Sequence, residues 1–217
     1  NIEYNNSNNI IYLKNIYFGF KKKIFNNFST KFTLNNIYII RGASGAGKSS
    51  LASILLQTFN LKKGSIVFNK KFKNLLKDSY YDNFNYAPQK DFLIPTSIKN
   101  NISLKFNESI NKKCLNKSLK QANCINFLNK LKLGSNTKIN DFGNNLSGGE
   151  CKRIILARFF YNLKLINILD EPTNHLDNYS KKVLLKNLKL IKKNKLIIIL
   201  SHDPIFLKDK TFKFINL

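Results

Sequence analysis

Residues Gly42-Ala43-Ser44-Gly45-Ala46-Gly47-Lys48-Ser49 follow the apolar run Ile37-Tyr38-Ile39-Ile40 and lead into a helix-like stretch from Ser50 to Gln57. A strand thus delivers the chain to a glycine-rich bend, and the bend opens a helix. At such a helix start, unpaired backbone N–H groups and the positive end of the helix dipole converge on one point. Glycines keep Cβ atoms out of that point. This is a complete Gly-x-x-x-x-Gly-Lys-Ser phosphate loop. Its backbone from Gly42 through Gly45, Ala46 and Gly47 to Ser50, with Ser44 inside the bend, is expected to surround phosphates. Lys48 is expected to reach the β and γ phosphates, and the Ser49 hydroxyl to ligate Mg2+. The stretch implies a bound nucleotide.

Outward from this loop the pattern alternates. Short β-type runs are expected at Ile10–Phe18, Phe28–Leu34 and Ile37–Ile40, then at Ser65–Asn69 and Phe84–Ala87. Residues 97–132 change to helical spacing, with Ile98, Ile102, Leu115, Leu119, Ala122, Ile125, Leu128 and Leu131 as the apolar positions. A helix from about Gly149 to Tyr161, a strand Leu165–Leu169, a helix Ser180–Ile191 and a strand Leu196–Leu200 follow. That alternation predicts an α/β fold with a mostly parallel sheet covered by helices. The middle stretch reads as an inserted helical subdomain, and Asn1 to Asn9 as a polar linker or tail.

The chain has 217 residues, 43% of them apolar, with 18 Phe and 9 Tyr, which suits one large globular unit. No apolar run approaches the roughly 20 residues that cross a bilayer. Absence of Met makes Asn1 an unnatural start, so the chain is expected to be cut from a longer one. Three cysteines, Cys114, Cys124 and Cys151, lack metal-type spacing and read as reduced thiols. The formal net charge is +25, yet only Arg41, Arg153 and Arg158 are arginines. Lysines scattered among many asparagines match the codon bias of an A/T-rich genome better than a dedicated nucleic-acid face. Nucleic acid is therefore not the expected partner.

A second set of motifs completes the nucleotide chemistry. Leu165-Ile166-Asn167-Ile168-Leu169-Asp170-Glu171 is a strand ending in two acids, where open parallel sheets bind ligands. Asp170 is expected to hold Mg2+, and Glu171 to orient the attacking water or take its proton. Leu146-Ser147-Gly148-Gly149-Glu150 contains a Ser-x-x-Glu capping box, and its two glycines expose N–H groups for a second anion. A generic phosphate-loop kinase or GTPase leaves this motif without a role, and no guanine-reading Asn-Lys-x-Asp occurs.

Together these motifs resemble the ATP-binding cassette family, whose signature is Leu-Ser-Gly-Gly-Gln, over roughly Ile10 to Leu217. The resemblance implies a phosphate-loop NTPase core with an N-terminal antiparallel β subdomain and a helical subdomain at about 91–164. It implies ATP and Mg2+ as cofactors. Tyr86-Ala87-Pro88-Gln89 looks like the family's Q-loop, which gives Gln89 contacts with Mg2+, with the attacking water and with a transmembrane partner. Asn174-His175-Leu176-Asp177 looks like the D-loop, with Asp177 near nucleotide, and Leu200-Ser201-His202-Asp203 like the switch histidine. Phe20 stands where an aromatic stacks on adenine. In the family two cassettes pack head to tail, each one's Ser147 loop closing over the other's phosphate loop.

Two segments are similar to the exporter branch. One is Gln89-Lys90-Asp91-Phe92-Leu93-Ile94-Pro95-Thr96-Ser97-Ile98-Lys99-Asn100-Asn101-Ile102, and the other Thr137-Lys138-Ile139-Asn140-Asp141-Phe142-Gly143, with Asp141 at the place of a Glu. They imply a transmembrane domain fused N-terminally and a location at the cytoplasmic face of a membrane. Three departures stand out: Glu150 for the signature Gln, Phe20 for the commoner Tyr, and Asn174-His175 for Ser-Ala. The form Glu-Pro-Thr-Asn-His-Leu-Asp is frequent in soluble cassette ATPases that act on ribosomes, which is the alternative reading.

Overall fold

The computed structural model describes residues 2–5, 10–19, 23–43, 45–69, 80–106, 108–140 and 145–217, with the backbone alone for 2–5. The strands are β1 (Ile2–Asn5), β2 (Ile11–Gly19), β3 (Lys23–Phe32), β4 (Asn36–Arg41), β5 (Lys63–Asn69), β6 (Phe84–Ala87), β7 (Ile166–Asp170), β8 (Leu196–Leu200) and β9 (Lys213–Asn216). The α-helices are α1 (Lys48–Leu55), α2 (Ile98–Ser103), α3 (Lys112–Gln121), α4 (Ile125–Leu128), α5 (Gly148–Tyr161) and α6 (Asn178–Ile191). One sheet has the order β1-β5-β2-β3 and the other β6-β7-β8-β4-β9. In the first, β2 pairs antiparallel with both β3 and β5. In the second, β4 runs parallel to β8 on one side and to β9 on the other. The mixed α/β architecture is the expected one.

The chain divides into two compact units: Asn1–Asn85 with Lys164–Ile168 and Ile191–Leu217, and Tyr86–Leu163 with Leu169–Leu190. The first unit has a continuous apolar core. Ile11, Leu13 and Ile16 of β2, Ile40 of β4, Leu51 and Ile54 of α1, and Ile198 and Leu200 of β8 are all shut off from solvent in it. Every residue of β8, Leu-Ile-Ile-Ile-Leu, is buried, as a strand covered on both faces requires. At about 1.5–3 kcal/mol per buried Leu or Ile, that strand is a large local contribution to stability. In the second unit α5 is the central post, and α2 and α3 both pack on it. Its apolar residues Ile154, Ile155, Leu156, Phe159 and Phe160 are buried.

Three stretches differ from the sequence expectation. Residues 2–5 form β1, paired in parallel with Ile66–Asn69 of β5, where a polar tail was expected. Strand β3 begins at Lys23, five residues before the expected Phe28, because Phe25 pairs with Phe18 across a register shift. Asn27 takes a left-handed φ of 59° in that stretch, and asparagine tolerates this conformation. Its turn-like letters hide a strand residue. Strand β9 was not expected either: Lys213, Phe214 and Asn216 are exposed and Ile215 alone packs, partly buried, against the core, so backbone pairing with β4 defines it.

Candidate nucleotide-binding site

The phosphate loop lies wholly in the first unit. Strand β4 ends at Arg41 and α1 starts at Lys48, with Gly47 at its N-cap. Gly45 has φ 82° and Gly47 φ 96°, conformations that a side chain makes costly. The two glycines differ in their surroundings. A Cβ on Gly45 would meet nothing within 4 Å, whereas one on Gly47 would come within 2.3 Å of Ile24 Cγ2 and 3.2 Å of Phe25 Cζ. Lys48 Nζ donates to the carbonyl oxygens of Gly42 (2.9 Å) and Ala43 (3.2 Å), so the lysine folds over its own loop. Ser49 is exposed on the first turn of α1. The glycine conformations, the folded lysine and the open helix start together fit a polyphosphate.

A prediction follows from that contrast. Gly45→Ala should cost about 1 kcal/mol, from backbone strain alone. Gly47→Ala should cost clearly more, about 2–3 kcal/mol, because strain and overpacking add. Urea denaturation of both variants measures the difference, and equal midpoints would contradict the contact with Ile24.

His202 belongs to the same unit. Ile40 of β4 pairs with Leu200 of β8, and the Ser201 N–H donates to the Ile40 carbonyl at 3.2 Å. The ends of these two parallel strands are therefore level, and His202 is exposed just beyond β8 as Gly42 is just beyond β4. Asp203 follows, and its carboxylate accepts the Ile205 N–H at 2.9 Å, capping a short 3₁₀ turn at Pro204–Lys208.

The second unit carries the remaining motifs. Asp170 ends β7 and is buried, as is Glu171, whose φ of 44° turns the chain sharply out of the strand. The Tyr86 hydroxyl is pushed up to about 12, first by burial and then by the charge and hydrogen bond of the Asp170 carboxylate. It thus remains a protonated donor to Asp170 throughout the neutral range. At α5 the Ser147 hydroxyl accepts the Glu150 N–H at 3.3 Å, and Glu150 Oε2 accepts the Ser147 N–H (2.8 Å) and hydroxyl (2.9 Å). The capping box read from the sequence is complete. Its carboxylate lies directly on the signature serine, where the family's usual Gln would bring no charge.

His175 adopts φ 61°, and its ring would lie 3.6 Å from a Cβ on Gly148. A Cβ on Gly149 would be 3.0 Å from the His175 carbonyl oxygen. The two signature glycines thus let Asn174-His175-Leu176-Asp177 lie close on the start of α5. Asp177 caps α6, accepting the Ser180 N–H (2.8 Å) and hydroxyl (2.9 Å), and lies 3.7 Å from Arg153. The Ser180 bonds, backbone first, hold its carboxyl below the usual carboxylate range. That cap is fully present above the ordinary carboxylate range and is lost as pH falls through the lowered value. Gln89, Lys90, Asp91, Leu93, Gly148, Cys151 and His175 line a cavity of ≈ 270 Å³.

Residues 25–174 match a family model described as ABC transporter. The chain belongs to that family. A probable ABC transporter ATP-binding/permease protein of Haemophilus influenzae is 34% identical over 192 residues, 88% of this chain and 35% of the relative. A putative export ATP-binding/permease protein of Rickettsia prowazekii is 35% identical over 204 residues, covering 91% and 35%. The ATP-dependent lipid A-core flippase 2 of Colwellia psychrerythraea is 33% identical over 187 residues, covering 86% and 32%. The chain spans about a third of the length of these relatives. A bacterial Atm1-family ABC exporter solved with ATP bound superposes with a TM-score of 0.84 over 95% of this chain and 37% of that one. At 23% identity that likeness concerns the fold alone.

Within the ABC transporter domain, the structure adds residues that the motifs did not reveal. The two exporter-like segments touch: the Ile98 N–H donates to the Thr137 carbonyl at 3.0 Å, and the Ile139 N–H to the Thr96 carbonyl at 2.8 Å. Arg158 ties the first of them to α5, donating to the Asn101 carbonyl and side chain (2.7 and 2.9 Å) and the Phe92 carbonyl (3.0 Å). Asn101, fully buried, in turn brackets the backbone of Ile94 with two bonds of 2.9 Å. Lys152, 2% exposed, pairs with Asp91 at 2.9 Å. A buried lysine on a helix was the one signal that could have revealed that pair, since such a charge needs a partner. Phe20, Ser44 and Asp141 lie outside the described residues. Among the described residues no helix is long and apolar enough to cross a membrane.

Proposed function

We propose that this chain binds and hydrolyses ATP as the ATPase part of an exporter-type membrane transporter, at the cytoplasmic face of the membrane. What carries the reading is that the permease-fused relatives align with nearly all of this chain over only about a third of their own length. The transmembrane partner is accordingly proposed to be fused to it in the whole protein. The alternative, a soluble cassette ATPase acting on ribosomes or other RNA–protein assemblies, has the Asn174-His175 form and the +25 net charge in its favour.

The roles follow from side-chain chemistry. Lys48 and the loop backbone from Gly42 to Ser50 hold the phosphates of ATP. Ser49, Asp170 and Gln89 hold Mg2+, which when bound neutralises charge on the β and γ phosphates. Tyr86 orients the Asp170 carboxylate through its hydroxyl. Glu171 takes a proton from the attacking water, and His202 and Gln89 assist in its placement. Phe20 stacks on adenine. Ser147, Gly148, Gly149 and Asp177 serve a nucleotide held by a second cassette, in a head-to-tail pair that ATP closes and hydrolysis opens.

Two measurements test this. Lys48→Ala removes a charge-assisted contact and should weaken ATP binding roughly tenfold to a hundredfold. In sedimentation, Glu171→Gln with ATP and Mg2+ should shift from monomer toward dimer. Adding Ser147→Arg should abolish the shift by filling the phosphate position with a large side chain. Full ATPase activity that does not vary with protein concentration, in a strictly monomeric sample, would overturn the pairing.

A further inference from the structure

The serine that the proposed pairing would use is already engaged within its own chain. A hydroxyl carries one proton, and Ser147 donates it to Glu150 Oε2 at 2.9 Å. The same carboxylate oxygen accepts the Ser147 N–H at 2.8 Å, and the Glu150 N–H points back at the hydroxyl oxygen at 3.3 Å. Three hydrogen bonds thus tie one serine to one glutamate. Ser147 and Gly148 are exposed, so this end of α5 is open to an arriving phosphate. The dipole of the 14-residue helix would attract that phosphate, and the carboxylate on the serine would repel it.

Glu150 pairs with no cation among the described residues. Two basic residues follow it in α5, but each is directed to another acid: Lys152 lies 2.9 Å from Asp91, and Arg153 3.7 Å from Asp177. The neighbouring Cys151 thiol feels the uncompensated charge. Burial raises it first, and the carboxylates of Asp91 and Glu150 raise it further. The hydrogen bonds of a capping box can be made by Gln as well as by Glu, so the cap itself does not require this charge.

We propose that Glu150 is a positioning residue that restrains ATP-driven pairing, by withholding the Ser147 proton from an incoming phosphate and placing a negative charge beside it. To donate to a phosphate, the hydroxyl must turn away from Glu150 and exchange one charge-assisted bond for another. The phosphate then lies one serine away from a carboxylate, inside a closing interface where charges are screened less than in open water. With Gln at this place the hydroxyl would give up only a neutral bond, and no charge would face the phosphate. Affinity differences within one interface lie mostly in dissociation, so the restraint acts chiefly by shortening the life of the closed pair. That a second cassette supplies the phosphate rests on the pairing proposed above; the hold of Glu150 on Ser147 does not.

The test is sedimentation of the chain in the Glu171→Gln background with ATP and Mg2+, over a range of protein concentrations. Glu150→Gln should tighten the ATP-dependent dimer about tenfold, the difference between giving up a neutral and a charged hydrogen bond. Its urea midpoint should stay close to the parent's, because the cap persists. Glu150→Ala should tighten the dimer similarly while lowering the midpoint, since it loses the cap as well as the charge. In a Ser147→Ala background, where no proton is left to withhold, the gain from Glu150→Gln should fall to about threefold or less. Glu108→Gln, an exposed position of the same unit with the same charge change, should leave the dimer within about twofold. Unchanged or weaker pairing in Glu150→Gln, beside a Glu171→Gln parent that does pair, would overturn the restraint and leave the pairing standing. An undiminished gain without the Ser147 hydroxyl, or an equal gain from Glu108→Gln, would overturn it too. Absence of an ATP-dependent dimer in every variant would overturn the pairing, and the restraint with it.

Discussion

Replacing Glu171 by Gln should lower ATP turnover roughly 10²–10⁴-fold while ATP affinity stays within a few fold of the parent. Gln keeps the size of Glu and its capacity to accept a hydrogen bond, but not the basicity that takes a proton from water. The position favours a clean result. Glu171 is 4% exposed and its φ of 44° is held by its neighbours, with the Asn174 N–H approaching the Glu171 carbonyl at 3.4 Å. An isosteric exchange leaves that turn in place, so a fall in turnover reports chemistry rather than collapse. Asp170→Asn provides the comparison. Removing that charge should weaken Mg2+-dependent binding as well as turnover, since its assigned role is to hold the ion. Steady-state hydrolysis and nucleotide titration, with and without Mg2+, separate the two carboxylates. Parental turnover in Glu171→Gln would remove the general-base role.

Much of this was legible in the sequence, for specific reasons. Strand β8 is five apolar residues set between Lys195 and Ser201, so its limits could be read directly. The start of α5 could be read from Ser147 and Glu150, since a capping box is a local device that needs no distant partner. The phosphate loop is also local, and its two left-handed glycines lie where the motif puts them. What escaped was stabilised by partners far along the chain. Strands β1 and β9 exist because β5 and β4 offer them open edges, and four residues carry too little periodicity to announce this. Tyr86 on Asp170, Asp91 on Lys152 and Arg158 on Asn101 each join residues more than fifty positions apart. Polar pairs of this kind leave no period in the sequence.

Breaking the Asp91–Lys152 pair from its acidic side should destabilise the second unit strongly. The two ends are unequally buried: the Lys152 side chain is 2% exposed and that of Asp91 18%. Asp91→Ala would leave an ammonium in the interior beside α5 without its 2.9 Å partner, which costs about 3–5 kcal/mol for a buried charge. Lys152→Met keeps most of the packing volume and leaves only the half-buried carboxylate, which water can still reach, so it should cost about 1 kcal/mol or less. The double variant, with no charge on either side, should recover most of what Asp91→Ala loses. Urea midpoints at constant slope give the three values and, through the cycle, the coupling. An Asp91→Ala loss no greater than that of Lys152→Met would mean that the lysine finds another way to water. The same loop carries Gln89 and lines the cavity beside Gly148. Loosening it should therefore also lower nucleotide-dependent pairing in the Glu171→Gln background, even where the domain remains folded.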